Sequence, residues 1–397
     1  MPGALNDIKV LDFTRMYAGP FATSLLADLG AKVIKVEIPG GGDPVRDLPP
    51  QTDGGESYIF VNLNRSKESI TINLSSEKGK QICRELVKEV DIVAENFTPG
   101  VMDRLGLGYE DIKKINPQVI YASLSGYGHT GLHCSLPSFD TLAQATGGFM
   151  SVTGFPDGLP VKSGPAVADF TGSFYVVISV LAALHHRSMA GEGQHIDISL
   201  QDGMWALTAI QFSPTYFLTG EAPQRLGNRQ IEATPFGVYT AKDGYVAIAI
   251  VTVGQWQNFL KTIGKEDLLS VQKYAVQKER IKYWKEIDAL VEEWTQTRTV
   301  EEVVEILNSA HLPCSSVLTV DKVANDPHLL SREMIIEVEQ LVSGKLKVPG
   351  SVFKLSKTPG NASLPAPFLG QDNYKIFSNL LGYSEAKIRH LTDEGVI

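Results

Sequence analysis

One aspartate in this sequence lies where a carboxylate could act as a nucleophile. Asp169 closes the segment Ser163-Gly164-Pro165-Ala166-Val167-Ala168 and stands immediately ahead of a long apolar helix predicted at residues 170–187. This position predicts a helix N-cap, because aspartate is a preferred capping residue that accepts a backbone N–H of the first turn. The same place orients a carboxylate near N–H groups that stabilise an oxyanion, so a nucleophile here needs no partner base. The residues alone leave the cap and the nucleophile both open.

A second candidate site is the turn between the first predicted strand and the first predicted helix. The segment Arg15-Met16-Tyr17-Ala18-Gly19-Pro20 places small residues where the strand passes into the helix, so that helix N–H groups could face a phosphate. A plain tight turn is the alternative. The dinucleotide fingerprint G-x-G-x-x-G is absent, and Gly40-Gly41-Gly42 runs into Asp43-Pro44, which favours a loop.

Other catalytic and metal-binding arrangements have little support. His185 and His186 are adjacent within a predicted helix and point in different directions, while His129 and His133 lie in a loop without acidic or cysteine ligands at useful spacing. The sequence contains neither a G-x-S-x-G elbow nor a G-x-x-x-x-G-K-S/T loop. We therefore predict no metal site, and the serine-hydrolase and P-loop classes lose their support.

The composition is that of an ordinary globular protein. The chain has 397 residues, 43% hydrophobic and 20% charged, with a net charge of -9, which is enough for two domains and a sizeable core. Because nucleic acids and anionic membranes bind clustered positive charge, the acidic balance without a Lys/Arg-rich run argues against both partners.

Cysteine usage and the N-terminal residues bear on the compartment. Cys83, Cys134 and Cys314 are odd in number and far apart, without a disulfide framework or metal-ligand spacing. The N-terminus lacks a basic segment followed by an apolar one, and the longest apolar run, residues 174–184, is too short to span a bilayer. We expect a cytoplasmic protein without a membrane segment.

The elements that must position these residues alternate between strand and helix. Apolar runs at residues 8–13 and 32–37 flank a helical stretch at 21–29, and this βαβ unit implies a parallel sheet. Further strands are predicted at 69–73, 91–94, 119–124 and 194–198, and helices at 77–88, 141–149 and 170–187. The fold class predicted for this half is α/β.

Residues 220–234 are rich in polar and turn residues without periodicity, which places a domain boundary near residue 225. Beyond it, Lys242-Asp243-Gly244 predicts a hairpin, because Asp-Gly supplies the turn conformations. Helices are expected to about residue 310, a strand-rich stretch at 334–353, and a last helix near 384–391.

Several different sequence motifs follow one another along almost the whole chain. They are VLDFTRMYAGPFATSLLADLGAKVIKVE at residues 10–37, ENFTPGVMDRLGLGYEDI at 95–112, SFDTLAQATGGFMSVTG at 138–154, ADFTGSFY at 168–175, GEGQHIDISLQDGM at 191–204, RLGNRQIEATPFGVYTAKDGYVAIAI from 225, and APFLGQDNYKIF followed by LGYSEAKIRHL near the end. In that order they resemble the family III CoA-transferases, also called the CaiB/BaiF family. This family includes carnitine and bile-acid CoA-transferases, formyl-CoA transferase and the related α-methylacyl-CoA racemases.

The resemblance implies a fold and an assembly. A large Rossmann-like domain with a parallel sheet would comprise residues 1–224, joined by residues 331–397, which form a linker and a C-terminal return to it. A smaller α+β domain would comprise residues 225–330. The family forms interlocked homodimers. Coenzyme A and acyl-CoA are its substrates, together with a carboxylic acid, and no cofactor is permanently bound.

The resemblance also assigns residues. Asp169 matches the family's catalytic aspartate, which passes CoA between two acids through an acyl–aspartyl anhydride and an aspartyl-CoA thioester. Contacts to CoA carried over by matching motifs are Ala18, Asn96, Phe97 and Arg104. Arg15 and Leu74 match less specifically.

Departures from the family pattern bear on the choice of reaction. The racemase branch has a histidine where this chain has Phe139, which argues against a racemase or epimerase because the proton-shuttling base is missing. Such an enzyme and a non-catalytic CoA-binding subunit remain the alternatives. The missing glycine fingerprint argues against an NAD-linked enzyme.

Two further positions bear on the substrate. Asp140 either arranges the site or caps a helix. Tyr17 stands where formyl-CoA transferase has a glutamine, and residues 251–256 differ from its glycine run. These departures favour an acid bulkier than formate or oxalate.

Overall fold

The computed structural model describes residues 3–397, which form two compact units. One unit consists of the chain up to Phe149, Lys162–Pro214 and Pro327–Ile397, and the other of Met150–Val161 and Thr215–Asp326. This division does not test the domain boundaries predicted at residues 225 and 330, which stay a prediction.

The first unit is built on a six-stranded parallel sheet. Its strands are β1 (Lys9–Asp12), β2 (Lys32–Glu37), β3 (Glu68–Thr71), β4 (Ile92–Glu95), β5 (Ile120–Ser125) and β6 (His195–Ser199). They lie in the order β3-β2-β1-β4-β5-β6. The predicted α/β class with a parallel sheet is confirmed.

Helices cover both faces of this sheet, as nearly continuous apolar strands require. The helices up to residue 219 are α1 (Ala18–Asp28), α2 (Tyr58–Asn64), α3 (Glu77–Val87), α4 (Val101–Arg104), α5 (Tyr109–Ile115), α6 (Asp140–Thr146), α7 (Phe149–Val152), α8 (Val167–Ala190) and α9 (Leu200–Thr219). Val10 packs with α1 and α8 on one face, and the next residue, Leu11, packs with α3 on the other. A 3-10 turn, Pro44–Asp47, follows β2.

Helix α8 is longer than the predicted helix. It begins at Val167 instead of residue 170 and has 24 residues, and it is the one helix among residues 3–397 that is long and apolar enough to cross a bilayer. However, Val176, Val177 and Val180 are buried in the core that α8 shares with α1 and β5. We therefore describe α8 as a core helix that connects β5 to β6.

The second unit contains an antiparallel sheet of β7 (Phe236–Ala241), β8 (Gly244–Ala249) and β9 (Cys314–Ser316). The turn between β7 and β8 lies where Lys242-Asp243-Gly244 predicted a hairpin. Its helices are α10 (Val253–Thr262), α11 (Gln272–Ala275), α12 (Gln277–Arg280), α13 (Trp284–Thr295), α14 (Val300–Ser309) and α15 (Val320–Val323), with 3-10 turns Glu266–Ser270 and Ile281–Tyr283. One apolar core joins this sheet to α10, α13 and α14.

The chain then returns to the first unit. Helix α16 (Pro327–Ser331) precedes a hairpin of β10 (Ile335–Gln340) and β11 (Gly344–Pro349), and α17 (Asn373–Leu381) and α18 (Glu385–Asp393) follow. The backbone N–H groups of Ser69 and Thr71 on the outer edge of β3 donate to the side chains of Asp372 (3.0 Å) and Asn373 (2.8 Å). The last residues of the chain therefore cover the edge of the sheet.

Candidate active site

The order of the strands fixes where a ligand can bind. The chain proceeds from β1 toward β2 on one side and from β4 toward β5 on the other, so β1 and β4 flank the point where the direction of winding reverses. In open α/β sheets the crevice at the carboxyl ends of such strands binds ligands. Arg15–Ala18 follow β1, and Asn96 and Phe97 follow β4.

A cavity of about 440 Å³ lies at this crevice. Six of the residues predicted for the site line it, namely Arg15, Tyr17, Ala18, Asn96, Phe97 and Asp169. Phe139, whose side chain is 66% exposed, also lines it. The structure thus brings together residues that are up to 154 positions apart in the sequence.

The turn after β1 is held by side chains from elsewhere. Met16 has a positive φ of 67°, and its N–H donates to Oδ1 of Asp43 at 3.1 Å. The side-chain amide of Asn96 accepts the Arg15 N–H at 2.9 Å and donates to the Arg15 carbonyl at 2.8 Å. The Arg15 guanidinium lies 4.8 Å from the centroid of the Phe97 ring. Asn96 therefore orients the turn with its amide.

Buried charged side chains contact the backbone of this turn. They were not predicted from the sequence. Nζ of Lys35 lies 2.8 Å from Oδ2 of Asp43 and donates to the Thr14 carbonyl at 2.8 Å, with both side chains almost fully buried. Burial works against the charged form of Lys35, but Asp43 and Asp12 outweigh it and raise the pKa of Lys35. A deeper pair joins Lys67 to Asp12 at 3.2 Å, where burial lowers the pKa of Lys67 to about 8.

A sequence signal for this network exists. Lys35 is flanked by Ile34 and Val36 in KVIKVE, a strand that the fold buries. Asp43 stands before Pro44, where its Oδ1 accepts the Val45 N–H of the 3-10 turn. The glycines before Asp43 predicted a plain loop instead.

Asp169 is the third residue of α8, so the prediction that it caps this helix is wrong. The N-cap residue is Ala166, whose methyl group cannot accept a hydrogen bond. Burial, and secondly the charge of Asp140, raise the pKa of Asp169 to about 7. Within the described part of the chain, no donor reaches its carboxylate. Asp169 is thus a half-buried carboxyl group that titrates near neutrality.

Asp140 supplies the cap that Asp169 does not. Its Oδ1 atom accepts the N–H of Ala168 at 2.8 Å, and its Oδ2 atom accepts a hydrogen bond from Nε2 of Gln144 at 2.6 Å. The sequence left Asp140 as either a site-arranging or a capping residue, and the geometry unites the two, because the helix that it caps carries Asp169. Gln144 itself was not predicted.

A serine fastens α8 to the turn after β1. Oγ of Ser173 lies 2.6 Å from the carbonyl oxygen of Ala18 and 2.7 Å from that of Asp169. The hydroxyl proton can serve either acceptor, so the first turn of α8 and the start of α1 are held together next to the cavity.

Two of the predicted CoA contacts lie outside the lining of this cavity. Leu74 is half-buried and packs against the core on the α3 face of the sheet. Arg104 is exposed at the end of α4, and within residues 3–397 no carboxylate pairs with its guanidinium. Its charge is therefore available to an anion.

A second, smaller cavity of about 130 Å³ lies beside the first, and Thr98 lines both. Oε2 of Glu95 accepts the Phe97 N–H at 2.8 Å, and Oε1 lies 3.5 Å from Nε2 of His129. The Glu95 carboxylate raises the pKa of His129 against the effect of burial. His129 is thus half-buried and lies within ion-pair distance of the Glu95 carboxylate. Among residues 3–397 no group of three or more His, Cys, Asp or Glu side chains is placed to hold a metal ion.

Comparison with known proteins matches the sequence and the fold of this chain to a family. A sequence model described as CoA-transferase family III matches residues 5–373. The succinyl-CoA–D-citramalate CoA-transferase of Chloroflexus aurantiacus is 34% identical over 397 residues, covering 100% of this chain and 98% of the relative. A formyl-CoA:oxalate CoA-transferase of Rhodopseudomonas palustris is 34% identical over 418 residues, with 100% and 98% covered. The crystal structure of a CAIB/BAIF family protein from Brucella suis superimposes with a TM-score of 0.85 at 34% identity, covering 96% of this chain and 100% of that one.

Proposed function

The chain belongs to CoA-transferase family III and is therefore a CoA-transferase, and we propose that it moves CoA from an acyl-CoA to a free carboxylic acid through Asp169. CoA-transferases use CoA thioesters as substrates. The observation that carries the proposal is the half-buried Asp169 carboxyl group, without a donor among the described residues, in the cavity that the turn after β1 helps to form.

The reaction begins when the Asp169 carboxylate attacks the thioester carbonyl of the donor. A C–O bond forms, the C–S bond breaks, and an acyl–aspartyl anhydride and the CoA thiolate result. The thiolate then attacks the aspartyl carbonyl of the anhydride, which releases the donor acid as its carboxylate and leaves an aspartyl-CoA thioester. The acceptor carboxylate repeats the two steps in reverse. Each step exchanges one negatively charged group for another, so no proton needs to be moved.

Burial and the neighbouring Asp140 suit Asp169 to this role. Both disfavour its charged form, and both penalties disappear when the carboxylate becomes the neutral anhydride or thioester. A carboxylate of raised pKa is also a stronger nucleophile than an ordinary one near neutral pH. The partly enclosed position limits the access of water, which would hydrolyse the two intermediates.

The other predicted contact residues, inside and outside the cavity lining, bind CoA. Arg104 and Arg15 offer guanidinium groups to the phosphates. Ala18 lies at the N-terminus of α1, where backbone N–H groups favour an anion, and Phe97 and Leu74 offer apolar contacts. Asn96 acts through the backbone of Arg15, which it holds on both sides.

The substrate acids are carboxylates bulkier than formate or oxalate. The named relatives act on succinyl-CoA and citramalate or on formyl-CoA and oxalate, and Tyr17 and Phe139 line the cavity beside Asp169. These aromatic rings offer apolar contact to a carbon chain. The specific donor and acceptor are an outcome of the experiment below.

The enzyme is a homodimer of the interlocked family type. Phe174, Ile178 and Leu181 follow one face of α8 at helical spacing and are 48%, 61% and 40% exposed. Trp205 and Ile210 on α9 are 48% and 82% exposed. An exposed apolar face of this kind is typical of an interaction surface, and a second copy is the partner that the family implies.

The cytoplasm is the compartment that suits this enzyme. Cys83, Cys134 and Cys314 are free thiols, and thiols persist where the surroundings are reducing.

Peptide mass spectrometry tests the proposal. The protein is incubated with a panel of acyl-CoAs and quenched with hydroxylamine or borohydride. We expect a hydroxamate or a reduced side chain at Asp169 with some donors only, and this pattern names the substrate class. An unmodified Asp169 together with exchange of the α-proton would assign a racemase instead, and neither signal with tight acyl-CoA binding would assign a binding subunit.

A further inference from the structure

A buried amide lies behind the two carboxylates of the site. Gln144 is 0% exposed and lies one turn after Asp140 on α6. Its Nε2 atom donates to Oδ2 of Asp140 at 2.6 Å, and its Oε1 atom accepts the N–H of Ser163 at 2.9 Å. One side chain therefore joins the start of α6 to the segment that leads into α8.

The orientation of this amide is dictated by its neighbours. A carboxylate oxygen accepts and a backbone N–H donates, so a rotated Gln144 would place acceptor against acceptor and donor against donor. The Asp140 carboxylate is equally constrained, because its Oδ1 atom is committed to the Ala168 N–H. The chain Ser163, Gln144, Asp140 and Ala168 thus has a single hydrogen-bonding arrangement.

We propose that Gln144 is a positioning residue for the nucleophile, because its amide holds the Asp140 carboxylate in the orientation that caps α8 and faces Asp169. This inference rests on the proposed role of Asp169. Without Gln144, Asp140 keeps one bond to Ala168 and is free to turn about it. Both the start of α8 and the charge beside Asp169 then lose their fixed places.

The charges around Asp169 make this arrangement consequential. Burial is the larger cause of the raised pKa of Asp169, and Asp140 is the one charged group among residues 3–397 that adds to it. Titratable and charged side chains on the other segments around α8 are Arg15 and Tyr17 at the cavity, Asp28 at the end of α1, Tyr121 on β5, and His195 and Asp197 on β6. A change in how Gln144 holds Asp140 is therefore expected to act on Asp169 directly.

Exchanging the two functional groups tests this inference. In Asp140→Asn, two amide donors face each other, and turning Gln144 only moves the mismatch to Ser163. In Gln144→Glu, two carboxyl groups face each other and keep the bond only while they share a proton, so the mismatch appears at high pH, where both are ionised. The double variant Asp140→Asn with Gln144→Glu satisfies every bond again. Its amide at position 140 accepts from Ala168 and donates to the carboxylate at position 144, and that carboxylate also accepts from Ser163.

Three measurements are made on the wild type, the two single variants and the double variant. They are the melting temperature, kcat and KM for CoA transfer, and the pKa of Asp169 from the NMR signal of carboxyl-labelled aspartate, assigned by its loss in Asp169→Asn. At high pH, where neither carboxyl group keeps a proton, we expect each single variant to lower kcat at least tenfold with KM changed less than threefold. We expect the double variant to recover kcat at high pH to within about threefold of the wild type. Because the double variant moves the negative charge away from Asp169, the pKa of Asp169 should fall below the wild-type value.

Single variants that behave as the wild type would overturn the inference, and so would a double variant whose losses are the product of the single ones. A failure of the proposed function has a different signature. In that case the wild type transfers no CoA, while the double variant still restores the melting temperature and still lowers the pKa of Asp169. If the wild type transfers CoA but the pKa of Asp169 is unchanged in the double variant, the role of Gln144 is rejected and the proposed function stands.

Discussion

Asp140 caps the helix that carries Asp169, since its Oδ1 atom accepts the Ala168 N–H at 2.8 Å, one residue before Asp169 in the chain. Two carboxylates consequently share one helix terminus. The positive end of the helix dipole favours negative charge there, but burial and the charge of Asp140 prevail and raise the pKa of Asp169 to about 7. The result is a carboxylate that loses an unfavourable charge when it is acylated.

Replacement of the nucleophile should abolish transfer and spare the fold. Asp169→Asn is expected to lower kcat about a thousandfold or more, because an amide does not attack a thioester under these conditions. The measurement is transfer of CoA between an acyl-CoA and an acid, followed by chromatography. Asp202→Asn is the matched control, because Asp202 is likewise the third residue of its helix, α9, but is exposed. Equal losses in both variants would contradict the assignment.

The same variant makes a prediction about stability. The pKa of Asp169 is higher in the folded state than in the unfolded state, so the folded state binds its proton more tightly. Below about pH 4 the carboxyl group is protonated in both states and costs no stability. As pH rises from about 4 to about 7, the group lowers the free energy of unfolding more and more. Asp169→Asn removes this penalty. Its melting temperature should exceed that of the wild type at pH 8, and the difference should disappear near pH 4. A difference that is constant with pH would show that the folded protein does not raise the pKa of Asp169.

Removal of Asp43 should destabilise the turn after β1. Asp43→Ala leaves the buried Lys35 charge without its partner and removes the acceptor of the Met16 N–H. We expect a loss of ~3–5 kcal/mol in the free energy of unfolding, measured by urea denaturation. Glu385→Ala breaks an exposed pair with Arg389 and should change the free energy by less than ~1 kcal/mol. Similar small losses in both would argue against a structural role for the buried pair.

Arg104 should affect the binding of CoA and not the chemistry. Its guanidinium is exposed and free of carboxylate partners within residues 3–397. We expect Arg104→Ala to raise KM for an acyl-CoA about tenfold or more at unchanged kcat, because a charge-assisted hydrogen bond is lost. KM for the corresponding N-acetylcysteamine thioester, which lacks the phosphates, should not change. Arg389→Ala on the surface of α18 serves as the control, and an effect on both thioesters would place Arg104 elsewhere.

The apolar face of α8 should govern self-association. Ile178 is 61% exposed, and Ile178→Asp places a charge in the surface that we assign to the second copy. Sedimentation velocity should show a dimer for the wild type and a monomer for this variant, with unchanged secondary structure by circular dichroism. Leu341→Asp, at a turn where Leu341 is 57% exposed, is the control. A wild type that sediments as a monomer would reject the homodimer.

Much of the parallel sheet could be predicted from local patterns. Apolar runs of β-forming residues predicted β1 and β2, and a glycine-containing turn between strand and helix indicated the cavity. These signals are local, because strand and helix periods are read over a few residues. The role of Asp169 as a catalytic residue was predicted from the resemblance to a family, which depends on the order of many motifs and not on any one of them.

The contacts between distant segments could not be predicted in this way. The cap of α8 comes from Asp140, which lies 28 residues before Ala168, so Asp169 was expected to cap the helix itself. Lys35 is fully buried because Asp43 pairs with it, a partner that becomes adjacent only in the fold. Gln144 has no local signal at all, since an i to i+4 pair with Asp140 on a short helix is equally typical of a solvent-exposed surface.

The cover over the edge of β3 has a consequence for synthesis on the ribosome. Asp372 and Asn373 satisfy the outer N–H groups of Ser69 and Thr71, and about 300 residues separate these partners. Until that last stretch emerges, β3 presents an open edge to other nascent chains, and open edges invite intermolecular pairing. We expect a chaperone that binds nascent chains to be needed for most of translation, and premature termination before residue 372 to yield aggregates rather than a smaller folded protein.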